Sequence, residues 1–515
     1  MKLYVWLFFV GILFGCQSQT KTDEQSEDKK RPNVVVVYMD DLGYGDVGAY
    51  GATELKTPHF DRIANEGIRF TRGYASSATC TPSRFALLTG VYPWRNKNAK
   101  ILPGTAPLLI DTQQETLPKL MARAGYHTGI VGKWHLGLGS GNVDWNTRVS
   151  PRPNEVGFDY SYIMAATQDR VPTVYIENGD VVNLDPNDPI SVDYKNNFEG
   201  EPTGKDNPEL LKMKWHHGHN NSIVNGIPRI GFMKGGEKAK WKDEDMADHF
   251  LKEAQDYVVQ HKDEPFFLYY AFQQPHVPRT PHPRFVGSSG LGPRGDVIVE
   301  ADYCFGEFMK TLEEEGILDN TLIIFTSDNG PVLNDGYFDD AVEKLGNHNP
   351  KGQLRGGKYS LFEAGTRVPF ITYWKGKIQP AVSDAMVCQI DLLASIGALV
   401  GLNPEGNIDS ENLLPALLGE NEIGRDDLII EATSRTAYRQ GDWALIPPYK
   451  GPALHKAVNI ELGNDSKYQL YDLSTDIGQQ NNIAAQHPDK LESMIKDFEA
   501  IRGDDYGKIQ DLELK

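Results

Sequence analysis

Two pairs of hard oxygen donors stand out in this sequence. Asp40-Asp41 follows the β-branched run Asn33–Met39 (NVVVVYM), and Asp328-Asn329 follows the apolar run Leu322–Ser327 (LIIFTS). Carboxylates at the end of a buried strand are costly unless they are paired or bind a metal. A donor set of Asp and Asn, without sulfur or imidazole, suits Ca²⁺ or Mg²⁺ better than zinc. One such pair alone reads as an ordinary turn; two pairs after two buried runs favour a metal site. A nucleophile stands elsewhere, in Ser76–Gly90 (SSATCTPSRFALLTG). Pro82 fits the first turn of a helix and Gly90 its stop. Cys80 then sits at a helix N-terminus, where free N–H groups attract anions and a thiol pKa is lowered. Arg84 is about one turn further on and can aim at Cys80 or its ligand. The alternative is a structural cysteine capping a core helix.

These residues need elements to bring them together. Tyr126–Val131 (YHTGIV) runs into Lys133 and His135, and Phe266–Phe272 (FFLYYAF) into His276. Helical stretches at Thr57–Glu66, Thr116–Ala124, Asp243–His261 and Val297–Glu315 separate the buried runs. Such alternation predicts a parallel sheet covered on both faces, with ligands outside the carboxyl ends of its strands. Asp40, Asp41, Lys133, His135, His276, Asp328 and Asn329 are thereby expected to converge on one crevice. The chain of 515 residues suits two or three domains. Lys+Arg 52 against Asp+Glu 71 gives 52 − 71 = −19, which argues against nucleic acid as a partner. A local cationic pocket for an anionic substrate remains compatible with that balance. With only 4 Cys, no disulfide scaffold is expected; Cys304 and Cys388 read as buried thiols.

Cys80-Thr81-Pro82-Ser83-Arg84, followed by Leu87 to Gly90, resembles the C-x-P-S-R signature of type I, formylglycine-dependent sulfatases. The likeness extends in family order from Pro32 to Pro369. It takes in Asp40-Asp41-Leu42-Gly43, Gly132 to Gly137, Pro275-His276, Ser327 to Gly330, Arg355 to Lys358 and Gly365 to Pro369. The resemblance implies an alkaline-phosphatase-like α/β sandwich with a large, mostly parallel sheet and a smaller C-terminal α+β subdomain. It implies that a separate maturation enzyme oxidises Cys80 to formylglycine, whose hydrate attacks the sulfur of a sulfate ester. It also implies a Ca²⁺ or Mg²⁺ ion held by Asp40, Asp41, Asp328 and Asn329, with position 80 completing the set. Arg84 would hold the hydrated aldehyde, and Lys133 and Lys358 the sulfate oxygens. His276 would protonate the leaving alcohol, and His135 would act as base in regenerating the aldehyde. Bacterial members of this layout act on sulfated glycans, the substrate class expected here. The alternatives are a phosphoester or phosphonate hydrolase of the same superfamily, and a non-catalytic glycan-binding relative.

The remaining readings concern the ends and the loops. Lys2, the apolar run Leu3–Phe14 and Gly15-Cys16 resemble a lipoprotein signal (1–16), with Cys16 the lipid-bearing residue. Residues 17–31 read as a polar tether, residues 32–383 as the catalytic domain and residues 384–515 as the smaller subdomain. An exported bacterial lipoprotein follows as the expectation, periplasmic or at the outer membrane or cell surface, anchored through its N-terminal lipid. Asp185–Lys242 reads as a long insertion without clear secondary structure, and such loops are often functional. Arg170, His216, His217 and His219 are the substrate-recognition candidates in and before it.

Overall fold

The computed structural model describes residues 1–4, 6 and 31–503. Cys16 and nearly all of the proposed signal and tether lie outside the described residues. The centre is a ten-stranded sheet. Its strands in chain order are β1 (Asn33–Met39), β2 (Ile68–Tyr74), β3 (His127–Lys133), β4 (Tyr160–Met164) and β5 (Tyr175–Glu177). Then come β6 (Asp180–Val181), β7 (Phe266–Ala271), β8 (Thr321–Ser327), β9 (Phe370–Tyr373) and β10 (Ala381–Cys388). Across the sheet the order is β10-β2-β9-β8-β1-β7-β3-β4-β5-β6. The middle of the sheet, β8-β1-β7-β3-β4, is parallel, and β9 runs antiparallel to both β8 and β2.

Every residue of β1 is buried. Its valines alternate between two cores: Val34 and Val36 face one layer, Val35 and Val37 the other. Burying each such side chain is worth about 1.5–3 kcal/mol, which is why a strand covered on both faces reads as a continuous apolar run. One layer contains helices α1 (Pro58–Glu66), α4 (Met246–Gln260) and α5 (Gly292–Glu314). The other holds α2 (Cys80–Thr89), α3 (Leu117–Arg123) and α6 (Leu392–Leu399). A second, four-stranded antiparallel sheet comprises β11 (Asp427–Ala432), β12 (Arg435–Gln440), β13 (Trp443–Ile446) and β14 (Gln469–Asp472). Helix α7 (Pro488–Arg502) packs on it through Met494 and Phe498.

The domain boundary expected between 383 and 384 requires correction. It falls inside β10, which pairs in parallel with β2 of the large sheet. The apolar run Gln389–Val400, assigned from the sequence to the small subdomain, packs as α6 in the same core as β1 and α3. Apolar character alone does not say which sheet a helix covers. The small sheet starts only at Asp427. The insertion 185–242 is also more ordered than its composition suggests. Ser191–Asp193 pairs with Phe232–Lys234, Ile223–Val224 with Ile227–Pro228, and Lys214–Trp215 with Tyr337–Phe338. Ladders of two or three residues are too short to leave a hydrophobic period. Among the described residues, no helix is long and apolar enough to cross a membrane.

Candidate active site

The parallel strands end on one edge and deliver their polar residues there. Asp40 and Asp41 follow β1, and Asp328 and Asn329 follow its neighbour β8, held in register by Met39 opposite Ser327. Asp40 N donates to Gln274 O (3.0 Å), which ties the β1 end to the segment leading to His276. Asp41 (φ 66°) and His135 (φ 55°) adopt the left-handed conformation just past their strands. For non-glycine residues this costs on the order of 1–3 kcal/mol each and concentrates at functional sites. Here it turns the chain sharply enough that successive side chains enter the same crevice.

Helix α2 places Cys80 at its first position, preceded by Thr79 in extended conformation (φ −148°, ψ 149°). Gly90 ends the helix at φ 65°, its N–H donating to Ala86 O. Cys80 Sγ lies 3.3 Å from His135 Nδ1. The other ring nitrogen of His135 faces Leu102 O at 2.9 Å. A carbonyl can only accept, so Nε2 carries the proton and Nδ1 presents a lone pair to position 80. Thr81 Oγ1 donates to His135 O (2.9 Å), fixing the residue to α2.

Three buried cations face four buried carboxylates. Arg84 donates to Asp328 Oδ2 from Nη2 (2.8 Å) and Nε (3.1 Å). Lys133 Nζ lies 2.7 Å from both oxygens of Asp40. Lys358 Nζ donates to Asp41 Oδ2 (2.8 Å) and to Asp335 Oδ2 (2.9 Å). His276 donates from Nδ1 to Val277 O (2.8 Å), leaving Nε2 3.9 Å from Asp41 Oδ2. Arg84, Lys133, His135, Asp328 and Asn329 have no solvent exposure at all.

Burial and charge set the protonation states. Burial would raise Asp328, but Arg84 and Lys133 outweigh it and hold the carboxyl below its usual range. Burial pushes Asp40 well up against the pull of Lys133, with Asp328 and Asp41 adding to the rise. Burial, then Lys133 and Arg170, drives His135 well below the ordinary imidazole value. Burial, then Lys358, brings His276 down to about 4. The helix N-terminus predicted a lowered thiol pKa at Cys80; burial instead pushes the thiol up, and Lys133 and Lys358 only partly oppose it.

The donor set fits a hard divalent cation. Asp40, Asp41 and Asp328 converge with Asn329, whose Oδ1 is buried without a hydrogen-bond partner while its Nδ2 donates to Asp41 Oδ1 (2.7 Å). Such an orphaned oxygen costs about 1–3 kcal/mol unless something binds it. Ligand atoms of Asp40, Asp41 and His276 also lie within 4.8 Å of one another. With the His276 ring oriented by Val277 O, its Nε2 sits at the rim of the oxygen set.

A cleft of about 580 Å³ opens over Cys80, His276 and Lys358. Arg170, His217 and His219 line it, whereas His216 lines an adjacent cavity of about 530 Å³, its ring against Phe338. The four substrate-recognition candidates are thus divided between two cavities. Asp169 organises two of them: its carboxylate accepts from Arg170 Nη1 (3.0 Å) and from His219 Nε2 (2.7 Å). His219 Nδ1 faces His217 O at 2.7 Å. The His219 ring is thus held from both sides, between Asp169 and His217 O. Asp169 and Asp335 escaped the sequence reading as site residues. Asp335 sits in Asn334-Asp335-Gly336, a sequence typical of turns, and only the fold reveals its bond to Lys358.

The sulfatase family model matches residues 32–402. This chain belongs to the sulfatase family. It is 49% identical over 497 residues to an N-acetylgalactosamine-6-O-sulfatase of Bacteroides thetaiotaomicron, covering 96% of this chain and 97% of that protein. It is 30% identical to human arylsulfatase A over 90% of this chain and 86% of that one. A solved structure from the metabolism of multiple glycosaminoglycans by Bacteroides thetaiotaomicron superposes with a TM-score of 0.91 at 50% identity, covering 92% of this chain and 99% of that one. The fold is the alkaline-phosphatase-like α/β arrangement implied by the motifs, and the sulfatase is a sulfuric ester hydrolase.

Proposed function

We propose that this sulfatase removes the 6-O-sulfate from N-acetylgalactosamine units of glycosaminoglycan fragments. The observation that carries this reading is the 49% identity, over nearly the whole of both chains, to the relative named for that reaction. The cleft supports it: Arg170, His217 and His219 stand at the same opening as Cys80, a wall of donors suited to a polar ring.

The chemistry assigned to the site residues belongs to the same proposal. Position 80 acts as formylglycine, made from Cys80 by a maturation enzyme, and its hydrate supplies an oxygen nucleophile for sulfur. A Ca²⁺ or Mg²⁺ ion held by Asp40, Asp41, Asp328 and Asn329 supplies Lewis-acid polarisation when bound. Lys133 and Lys358 hold the sulfate oxygens and balance the charge that develops on them. Arg84 keeps Asp328 oriented and lies one turn from position 80. His276 gives a proton to the leaving alcohol, the bound sulfate anion opposing the burial and the Lys358 charge that bring the ring down to about 4 in the protein alone. His135, with its free Nδ1 against position 80, takes the proton from the second hydroxyl as the aldehyde reforms and sulfate leaves.

The lipoprotein reading stands with it: Leu3–Phe14 followed by Gly15-Cys16 supports export and lipid attachment at Cys16, and labelling with a radioactive fatty acid, lost in Cys16→Ser, tests it. The function is tested by mass spectrometry of the Cys80 peptide from protein made in its own host, followed by a panel of sulfated sugars with a phosphate ester as control. Aldehyde or hydrate at position 80 and desulfation of 6-sulfated N-acetylgalactosamine are the expected results. Unmodified thiol throughout removes the mechanism, and cleavage of the phosphate ester alone removes the reaction class.

A further inference from the structure

The loop joining β11 to β12 is a two-residue hairpin turn, Thr433-Ser434, with Ala432 paired to Arg435. Both turn residues have positive φ, 51° at Thr433 and 68° at Ser434. That backbone is the one Asn-Gly fills at least cost. A β-branched residue is a poor occupant of it. Strained positions persist where the surroundings over-determine them, and they cluster at ligand-binding sites.

The surroundings here are well defined. The Ser434 N–H donates to one carboxylate oxygen of Glu431. The other oxygen of Glu431 accepts from Ser77 Oγ at 2.6 Å. Arg435, buried beneath the turn, donates to Thr433 Oγ1 (3.0 Å), Tyr359 O (2.9 Å), Leu462 O (3.2 Å) and Asn464 Oδ1 (2.5 Å). These acceptors are all uncharged, an expensive way to bury a guanidinium; burial pushes Arg435 down to about 10. The turn is also fastened to both sides of the catalytic centre. Ala78 N donates to Glu431 O (2.7 Å), two residues before Cys80, and Tyr359 N, next to Lys358, donates to Ala78 O (2.8 Å).

The product is a braced turn that lines the cleft holding Cys80 and Lys358, the same cleft lined by Arg170 and His219. Thr433 Oγ1 is spent, donating to Ala432 O (2.7 Å) and accepting from Arg435. The Ser434 hydroxyl makes no hydrogen bond among the described residues and is only partly buried. We propose that the Ser434 hydroxyl is a specificity contact, bonding a polar group on the sugar that bears the sulfate, and that the Thr433-Ser434 turn is kept strained to hold it there. This rests on the substrate being a sulfated sugar, and it assigns to the small C-terminal sheet a direct part in recognising it.

The test uses the full chain with aldehyde at position 80 verified by mass spectrometry, and a chondroitin-derived disaccharide carrying N-acetylgalactosamine 6-sulfate as probe. Ser434→Ala removes the hydroxyl without relieving the turn; Ser434→Gly removes it and relieves the turn. Both are expected to raise KM about 3–10-fold with kcat changed less than about twofold, the size of one neutral hydrogen bond. Thr433→Asn with Ser434→Gly is expected to raise Tm by about 1–2 °C as strain is released. Unchanged KM in Ser434→Ala overturns the contact. A rise in Ser434→Gly alone overturns it as well, since the effect would then lie in the backbone. A lower Tm in the double variant overturns the strain. A wild-type protein silent on every sulfated sugar, with the aldehyde in place, removes the substrate reading itself and this contact with it; active wild type with indifferent variants removes the contact alone.

Discussion

His135 Nδ1 faces Cys80 Sγ at 3.3 Å, with its proton committed to the far side of the ring by Leu102 O. A histidine held neutral and in this tautomer presents a lone pair to position 80, as the proposed mechanism requires of the base. His135→Gln is therefore expected to slow turnover about 10²–10⁴-fold with little change in KM. If the base acts after the leaving alcohol has departed, alcohol release shows a pre-steady-state burst in the variant. A variant that turns over at the wild-type rate would falsify the assignment.

Asp40, Asp41 and Asp328 with the unpartnered Asn329 Oδ1 form a hard oxygen site. Activity is expected to disappear on dialysis against EDTA and to return with Ca²⁺ or Mg²⁺ but not with Zn²⁺. Asn329→Leu removes the orphaned oxygen and is expected to weaken retention of the ion, read by calorimetric titration of the stripped protein with Ca²⁺. Equal affinity in wild type and Asn329→Leu would remove Asn329 from the ligand set.

Much of this centre was legible because each residue follows a strand that announces itself. NVVVVYM and LIIFTS read as buried strands, and their parallel pairing places Asp41 and Asp328 within hydrogen-bonding distance, Asp41 N to Asp328 Oδ1 at 3.2 Å. What was not legible depends on chain segments that meet only in the fold. Asp335 gains its meaning from Lys358, 23 residues later. Asp169 gains its own from His219, 50 residues later. Nothing local marks either carboxylate. The extent of the large sheet was misjudged for a related reason: β10 and α6 follow β9 in sequence and look like the start of something new, yet β10 forms the edge of the sheet beside β2 and α6 covers one of its faces.

Lys358 bridges Asp41 and Asp335, and Asp335 is kept ionised against its burial chiefly by Lys358. Asp335→Asn retains the shape and removes the charge that draws Lys358 toward the cleft. A 10–100-fold loss of kcat/KM is expected, with Tm changed by only a few degrees. Circular dichroism and steady-state kinetics on one preparation measure both. Wild-type kcat/KM in Asp335→Asn would show that Asp41 alone holds the lysine.

Glu300 lies behind His276, accepting from His282 N (3.0 Å), and its burial raises it to about 7. Between the ordinary carboxylate range and pH 7 the folded state binds more protons here than the unfolded chain does. The contribution to stability is therefore greatest in acid and is lost as pH rises from the ordinary carboxylate range to about 7, by about 3 kcal/mol at most. Glu300→Gln keeps the shape and removes the proton. Thermal unfolding from pH 5 to 8 is expected to show a decline in wild type that is shallower in Glu300→Gln. Parallel curves would mean that the carboxyl ionises at its ordinary pH.

His219 packs against the backbone of Gly336, where φ is 101° and an added Cβ would lie 1.9 Å from His219 Nδ1. The ring cannot yield in place, because Nδ1 and Nε2 are both committed at 2.7 Å, to His217 O and Asp169. Gly336→Ala is therefore expected to expel the imidazole, release Asp169 and loosen Arg170, although none of the three is altered chemically. If this wall binds the sugar, KM rises about tenfold or more while kcat falls less. His219→Ala should produce the same shift. Because both substitutions act through one ring, the double variant should be little worse than either alone, a coupling of about 1 kcal/mol or more in the cycle. Additive effects would mean that Gly336 acts through the turn at Asp335 and Lys358 instead, and the cycle separates the two routes.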